Sequence, residues 1–332
     1  MATLKDVAKL AHVDVSTVSR ALNNKSYVHP DTKARIMAAV EELSYKPNVL
    51  ARGLRSGKRH TIALVIPKLG LTIFEDLAET IDLAAREKGY AVLICHTGND
   101  PAIEKECLNR LRNGFVDGII IAPTGKNIRL LKDIRSDGIP VVQLIRKQDS
   151  SISSVIGNYE EGAYNSTYFL YEKGCRTIGL INGDLTRMPY AARYRGYERA
   201  VSELSLENIS VSADNVKTSS FEYGYSCTDQ MLDLYPDIDG ILTAVDVQGM
   251  AALRVLKDRG RKVPEDVKVI SLTGYSIGDK LETRLSSCEL PADEMGKKSV
   301  ELLIEEIEAP DEKKPGVQHV EFSASFDERE TT

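Results

Sequence analysis

Residues 4–43 read LKDVAKLAHVDVSTVSRALNNKSYVHPDTKARIMAAVEEL. Thr3, followed three residues on by Asp6, has the spacing of a capping box with Asp in place of the usual Glu. It opens a helix from about Leu4 to Ala11 with Val7, Leu10 and Ala11 on one face. Asp14 can cap a second helix that runs to about Leu22, with Val15, Val18 and Leu22 apolar. Only a few residues separate the two, which is helix-turn-helix spacing. A third helix starts near Pro30–Asp31 and turns Ile36, Ala39, Val40 and Leu43 inward. The second helix opens with the short or hydroxylic residues Val15, Ser16 and Thr17, and Arg20 follows. Ser and Thr can reach bases or phosphates, and Arg can grip guanine O6 and N7 together. The early turns of a recognition helix carry such contacts. A plain three-helix bundle would satisfy the same spacing.

Outward from this stretch the charge changes sign. Residues 1–60 hold 11 Lys and Arg against 5 Asp and Glu, and the rest of the chain holds 32 against 44. A basic head on an acidic body is the asymmetry of a chain with one end facing phosphates. The 332 residues are too many for one small core and predict two or three domains. No apolar run approaches the length of a bilayer span, and MATLKDVAKL lacks a signal-peptide core, so the expected location is the cytoplasm. Five scattered cysteines, with no CxxC pair, imply neither a disulfide frame nor a zinc site. There is no GxGxxG after a strand, no P-loop and no GxSxG elbow, so neither an enzyme nor a cofactor is expected.

Beyond residue 46, Pro47 stops what precedes it, Asn48 can cap a short helix through Arg55, and Gly57 ends it. A helix so short needs outside support in water. From residue 60 onward, apolar β-branched runs recur at 62–66, 91–95, 118–122, 140–145, 177–181, 241–244 and 267–272. Amphipathic stretches at 74–88, 102–112, 159–173, 191–204, 247–259 and 292–308 lie between many of them. This alternation predicts βαβ units, with parallel sheets covered on both faces.

Residues 4–67, LKDVAKLAHVDVSTVSRALNNKSYVHPDTKARIMAAVEELSYKPNVLARGLRSGKRHTIALVIP, resemble the headpiece and hinge of the lactose-repressor (LacI/GalR) family of bacterial transcription regulators. The resemblance continues in VDGIIIAP, KGCRTIGLING, RYRGYERAV and VPEDVKVISL. It implies an all-α helix-turn-helix headpiece (1–46), a hinge helix and linker (47–59), and a two-lobed, periplasmic-binding-protein-like α/β core (60–332). Lobe 1 would take about 60–157 and 290–318, and lobe 2 about 158–289 and 319–332. It places Val15, Ser16 and Arg20 on base-reading positions, and Ser19, Asn23 and Thr32 on phosphates; Thr3, Thr17 and Asn48 complete the expected DNA-contacting set. Leu54 matches the leucine that paired hinge helices wedge into the minor groove.

Ligands of open α/β sheets bind beyond the carboxyl ends of strands. The effector candidates are therefore Thr72, Ile73 and Phe74 after the first strand, Thr124, Arg146, Asn158, Tyr159, Arg187, Arg193, Asp246 and Thr273. Arg193, three residues before Gly196, matches the family arginine that grips effector hydroxyls or carboxylates. The chain departs from many sugar-responsive members. Thr273–Gly274 stand where an acidic pair is common, Val245–Asp246 where Asn-Asp is common, and Asn158 where Asp is usual. Fewer acceptors beside arginines would tolerate an anionic effector such as a sugar phosphate.

The implied partners are double-stranded DNA with a palindromic operator, a sugar or sugar-phosphate effector, and a second copy of the chain; no membrane is involved. FDERETT at the end has no leucine heptads. An alternative is a catabolite-control-type regulator answering to a phosphorylated carrier protein, since NYEEGAY (158–164) resembles the corresponding segment. A transporter's solute-binding protein would explain 60–332 but not the basic head. If Leu54 is a wedge, Leu54→Ala reduces the operator bend and weakens binding; an unaltered bend angle in a circular-permutation gel shift refutes the assignment.

Overall fold

The computed structural model describes residues 2–23, 27–45, 58–70, 72–212, 219–274 and 276–332. It divides into two units, Met1–Arg59 and His60–Thr332.

The first unit holds α1 (Leu4–Leu10), α2 (Val15–Asn23) and α3 (Pro30–Glu42). Thr3 and Asp6 form the full capping box at the start of α1. Ala11 closes α1, and His12 follows at φ +51° while Val13 N–H donates to the Ala8 carbonyl. This left-handed step satisfies carbonyls that the helix end would otherwise strand, and it turns the chain into α2. Ser44 repeats the device after α3 at φ +45°, with Tyr45 N–H donating to Val40 O. Val7, Ala8, Ala11, Val18, Ala21, Ile36, Ala39 and Tyr45 make the core. Leu10, expected inward, is 38% exposed. The α1 wheel gives the inner position to Ala8, whose small side chain lets the helices approach closely.

The second unit contains two six-stranded sheets. In chain order its elements are β1 (Thr61–Ile66), α4 (Thr72–Glu87), β2 (Ala91–His96), α5 (Pro101–Arg112), β3 (Gly118–Ile121), α6 (Ile128–Ser136), β4 (Val141–Leu144), β5 (Ser154–Gly157) and α7 (Tyr159–Glu172). Then follow β6 (Ile178–Ile181), α8 (Met188–Glu203), β7 (Ile209–Val211), α9 (Ser220–Leu234), β8 (Gly240–Thr243), α10 (Asp246–Asp258) and β9 (Lys268–Gly274). The last elements are α11 (Ser276–Asp279), β10 (Ser286–Glu289), α12 (Ala292–Glu308), β11 (His319–Phe322) and β12 (Ser325–Asp327). The strand orders are β11-β5-β4-β3-β1-β2 and β12-β10-β9-β8-β6-β7. Every pairing is parallel except β12 with β10.

Strand β1, TIALVI, shows why the runs are continuously apolar. Ile62, Leu64 and Ile66 feed one core cluster, and Ala63 and Val65 feed the cluster on the opposite face. Both faces are covered by helices, so neither parity can be polar.

The chain passes between the lobes near residues 157–158, 290–291 and 323–324. One expected boundary is corrected. Residues 319–322 do not belong to the second lobe: β11 pairs with β5 of the first, His319 opposite Ser154 through Phe322 opposite Gly157. The Asn158 N–H also donates to the Phe322 carbonyl. Two neighbouring strands thus leave the first lobe side by side, and only β12 joins the second sheet. Helices α6 and α9, and strands β5, β7 and β10, were not among the expected elements. The three strands have three or four residues, too few for a periodic signal.

Helices α7 and α8 touch closely at Gly196, where an added Cβ would lie 2.0 Å from the Glu160 carbonyl oxygen and 3.1 Å from Tyr164 N. Both obstacles are backbone, so Gly196→Ala forces the helices apart. The expected loss is about 3 kcal/mol by the general scale of overpacking; an unchanged urea midpoint refutes it.

Candidate functional site

Two places collect the candidate residues, one in each unit. In the first unit they lie on α2. At about 100° per residue, Val15, Ser19, Asn23, Ser16 and Arg20 fall on one arc, and Ala21, Val18 and Leu22 on the other. The burial agrees: Val18 and Ala21 are 0% and 4% exposed, whereas Val15, Ser16 and Arg20 are open to solvent. Thr17, Ser19 and Thr32 are half-buried. Thr3 is exposed, but its hydroxyl already donates to Asp6 Oδ2 at 2.7 Å. The Asn23 side chain, Asn48 and Leu54 lie outside the described residues.

In the second unit the strand-end residues meet where the lobes face each other. Arg146 leaves β4 through a γ-turn: its N–H donates to Leu144 O at 2.6 Å, across Ile145 at φ +66°. That is the strained hand of this turn, and a β-branched residue in the left-handed region costs about 1–3 kcal/mol. The guanidinium of Arg146 is buried at 5% exposure. Its Nη1 donates to Asn99 Oδ1 at 2.9 Å and to the Pro123 carbonyl at 3.3 Å. Burial presses its affinity for the proton down; Arg187 of the second lobe adds to that, while Tyr190 opposes it.

Across the cleft, Arg193 is 3% exposed. Its Nη2 donates to Thr273 Oγ1, which in turn donates to Ala244 O at 2.9 Å. Its Cζ stands 4.8 Å from the ring centre of Tyr159 and 5.8 Å from that of Tyr190. Two aromatic faces thus share one cation. The Tyr159 hydroxyl donates to Ile145 O at 3.2 Å, which links the strained turn to the same cluster. Burial pushes that hydroxyl up to about 12, although Arg193 and Arg146 both pull it down. Arg187 pairs with Asp184 at 3.3 Å. Asp246, the first residue of α10, is 1% exposed.

The other candidates are placed differently. The Asn158 side chain accepts from Glu161 N at 3.1 Å and so caps α7. Thr124 donates to Glu104 from both its N–H and its hydroxyl, at 2.7 and 2.6 Å. Ile73 and Phe74 are buried in the apolar cluster that also contains Tyr159 and Ala192 of the second lobe, so they pack at the junction and are not exposed in an open groove. Thr72 begins α4, and its side chain lies outside the described residues. Among the described residues there is no cluster able to hold a metal ion and no helix long and apolar enough to cross a membrane.

Sequence reasoning missed Tyr190, Asn99 and Glu104. Tyr190 had a signal, because it precedes Arg193 by three residues and shares its helix face. Asn99 had one too, since Gly98–Asn99–Asp100 before Pro101 is turn chemistry, and Asn99 sits at φ +65°. Glu104 is fully buried, and nothing in its local sequence marks it.

Residues 3–48 match the description "Bacterial regulatory proteins, lacI family", and residues 167–332 match "Periplasmic binding protein-like domain". The ribose operon repressor of Halalkalibacterium halodurans is 33% identical over the whole chain and 97% of that protein. The transcriptional repressor PurR of Aliivibrio salmonicida is 30% identical, covering 92% of each chain. The solved complex of the transcriptional regulator CelR with cellobiose is 25% identical over 100% of both chains, with a TM-score of 0.74.

Tyr159 carries a pH signature. Its hydroxyl sits near 10 when unfolded and is raised to about 12 in the fold, so its contribution is complete below pH 10 and is lost as pH rises toward 12. Unfolding free energy should therefore fall more steeply above pH 10 in the native chain than in Tyr159→Phe, by up to about 1.4 kcal/mol per pH unit. Equal slopes in alkaline urea titrations refute this.

Proposed function

The chain belongs to the lacI family of bacterial regulatory proteins, and from that membership we propose that it is an operator-binding repressor switched by a small effector in its interlobe cleft. It is a DNA-binding transcriptional regulator and not an enzyme. The observation that carries the DNA-reading assignment is the exposed arc of α2, where Val15, Ser16 and Arg20 stand opposite the buried Val18 and Ala21. Arg20 reads a guanine edge, Val15 and Ser16 contact neighbouring bases, and Ser19, Asn23 and Thr32 anchor the phosphates. Asn48 and Leu54 complete the contacts through the hinge.

The protein works as a homodimer on two half-sites related by its own two-fold axis. Leu83 of α4 and Leu93 and Ile94 of the edge strand β2 are 56%, 43% and 43% exposed, an apolar face suited to a second copy. It acts in the cytoplasm, at the nucleoid. The effector is of carbohydrate class, as the names of the ribose operon repressor and of the cellobiose complex suggest. Contacts from Arg146 on one lobe and Arg187, Arg193, Asp246 and Thr273 on the other favour one degree of lobe closure. Operator affinity shifts by the difference in effector affinity between the two closure states.

Arg20→Ala tests the reading. Operator affinity should fall by roughly tenfold or more, with base preference relaxed at one position of each half-site, on the scale of a bidentate guanine contact. Unchanged affinity and preference in a binding assay on a substituted operator panel would sink it.

A further inference from the structure

We infer that the effector this cleft selects carries a negative charge on a polyhydroxylated frame, a sugar acid or a sugar phosphate, and that Arg146 is the residue that demands it. The inference rests on the reading of the cleft as the effector site and adds the chemistry of the ligand.

Arg146 is a buried cation that the protein leaves unneutralised. Both of its hydrogen bonds come from Nη1 and go to neutral acceptors, Asn99 Oδ1 and the Pro123 carbonyl. Among the described residues it forms no ion pair, and its Nε and Nη2 donate no hydrogen bond. Glu104, an acid of its own lobe that acts on it electrostatically, is committed elsewhere: its two oxygens take hydrogen bonds from Thr124 N, Thr124 Oγ1 and Asn127 Nδ2. Facing it from the second lobe is a further cation, Arg187, whose Asp184 partner is three residues away on its own loop. Tyr159 feels both Arg146 and Arg193, the latter 4.8 Å from its ring centre. A buried charge without a partner is among the most expensive features a fold can keep. Here a strained turn at Ile145 is kept as well, and it aims that charge at the junction. Local strain of this kind collects at ligand clamps.

A carboxylate or a phosphate supplies what is missing. Either accepts two parallel N–H donors from one guanidinium, so Nε and Nη2 of Arg146 would take the charged end. The polyol end then falls to the second lobe, where Asp246 accepts from hydroxyls and Arg193 and Thr273 complete the contacts. An anion held from both lobes by cations also offsets the repulsion between Arg146 and Arg187 when the cleft closes.

The test is calorimetry on the full-length chain with two matched pairs, D-glucose against D-gluconate and D-ribose against D-ribose 5-phosphate. At least one anion should bind about a hundredfold more tightly than its neutral parent, and the pair that does so tells carboxylate from phosphate. Arg146→Met should abolish that preference, and Arg146→Lys should keep part of it. The melting temperature of ligand-free Arg146→Met should not fall, because a purely structural arginine would be missed and an unpaired one is not. A neutral sugar binding as tightly as its anion, or a preference that survives Arg146→Met, overturns the inference and leaves the cleft reading intact. Binding unchanged in Arg193→Ala, or no binding by any of the four, overturns both.

Discussion

Each of the two sheets is covered by helices on both faces, and this leaves polar side chains almost nowhere to stand on the strands. Strands β3, β4, β6 and β8 are buried along their whole length. On these four strands, water, or a ligand in place of water, can be met only where the strand stops. The parallel arrangement points the carboxyl ends of each sheet the same way, so the residues released at those ends gather in one place. Thr124 follows β3, Arg146 follows β4, Asp246 follows β8 and Thr273 closes β9. The composition of the cleft follows from how the sheets are buried.

That gathering brings charge into a dry place, and the protein handles each cation differently. Arg187 has a carboxylate. Arg193 donates to a hydroxyl and stands against two aromatic rings, whose faces favour a cation. Arg146 has an amide and a carbonyl. The lobes are joined by three chain crossings, so their separation can change with little disturbance inside either sheet. A ligand that touches both lobes biases that separation by its own contacts and needs no rearrangement of either core.

The headpiece answers to a different constraint. Its core is eight buried side chains, and several are alanines, so burial supplies little stability per residue. Its ends are correspondingly well finished, with the Thr3–Asp6 box at the start and left-handed steps at His12 and Ser44. The outer arc of α2 is exposed because the inner arc is used, since a helix that buries Val18 and Ala21 must present Ser16 and Arg20.

Much of this was legible in the chain. The headpiece helices, the alternation of strands and helices, and the arginines and Thr273 at strand ends all follow from local rules of period, capping and residue type. Local rules misplaced Leu10, because they favour the larger apolar side chain for the inner position, whereas packing chose the small Ala8. The family resemblance gave residues 319–322 to the other lobe, and a four-residue strand has no preference of its own to correct it; β5 supplied the partner from 165 residues away. Asn158, a pocket candidate in the sequence, also caps α7, which begins directly after it. What the sequence determined by itself is which residues are free to be polar at the ends of buried strands. What only the tertiary structure decided is which of those residues are already satisfied. That depends on neighbours far along the chain, such as Glu104 for Thr124 and Thr273 for Arg193, and hydrogen bonding is met or missed in space and not in sequence.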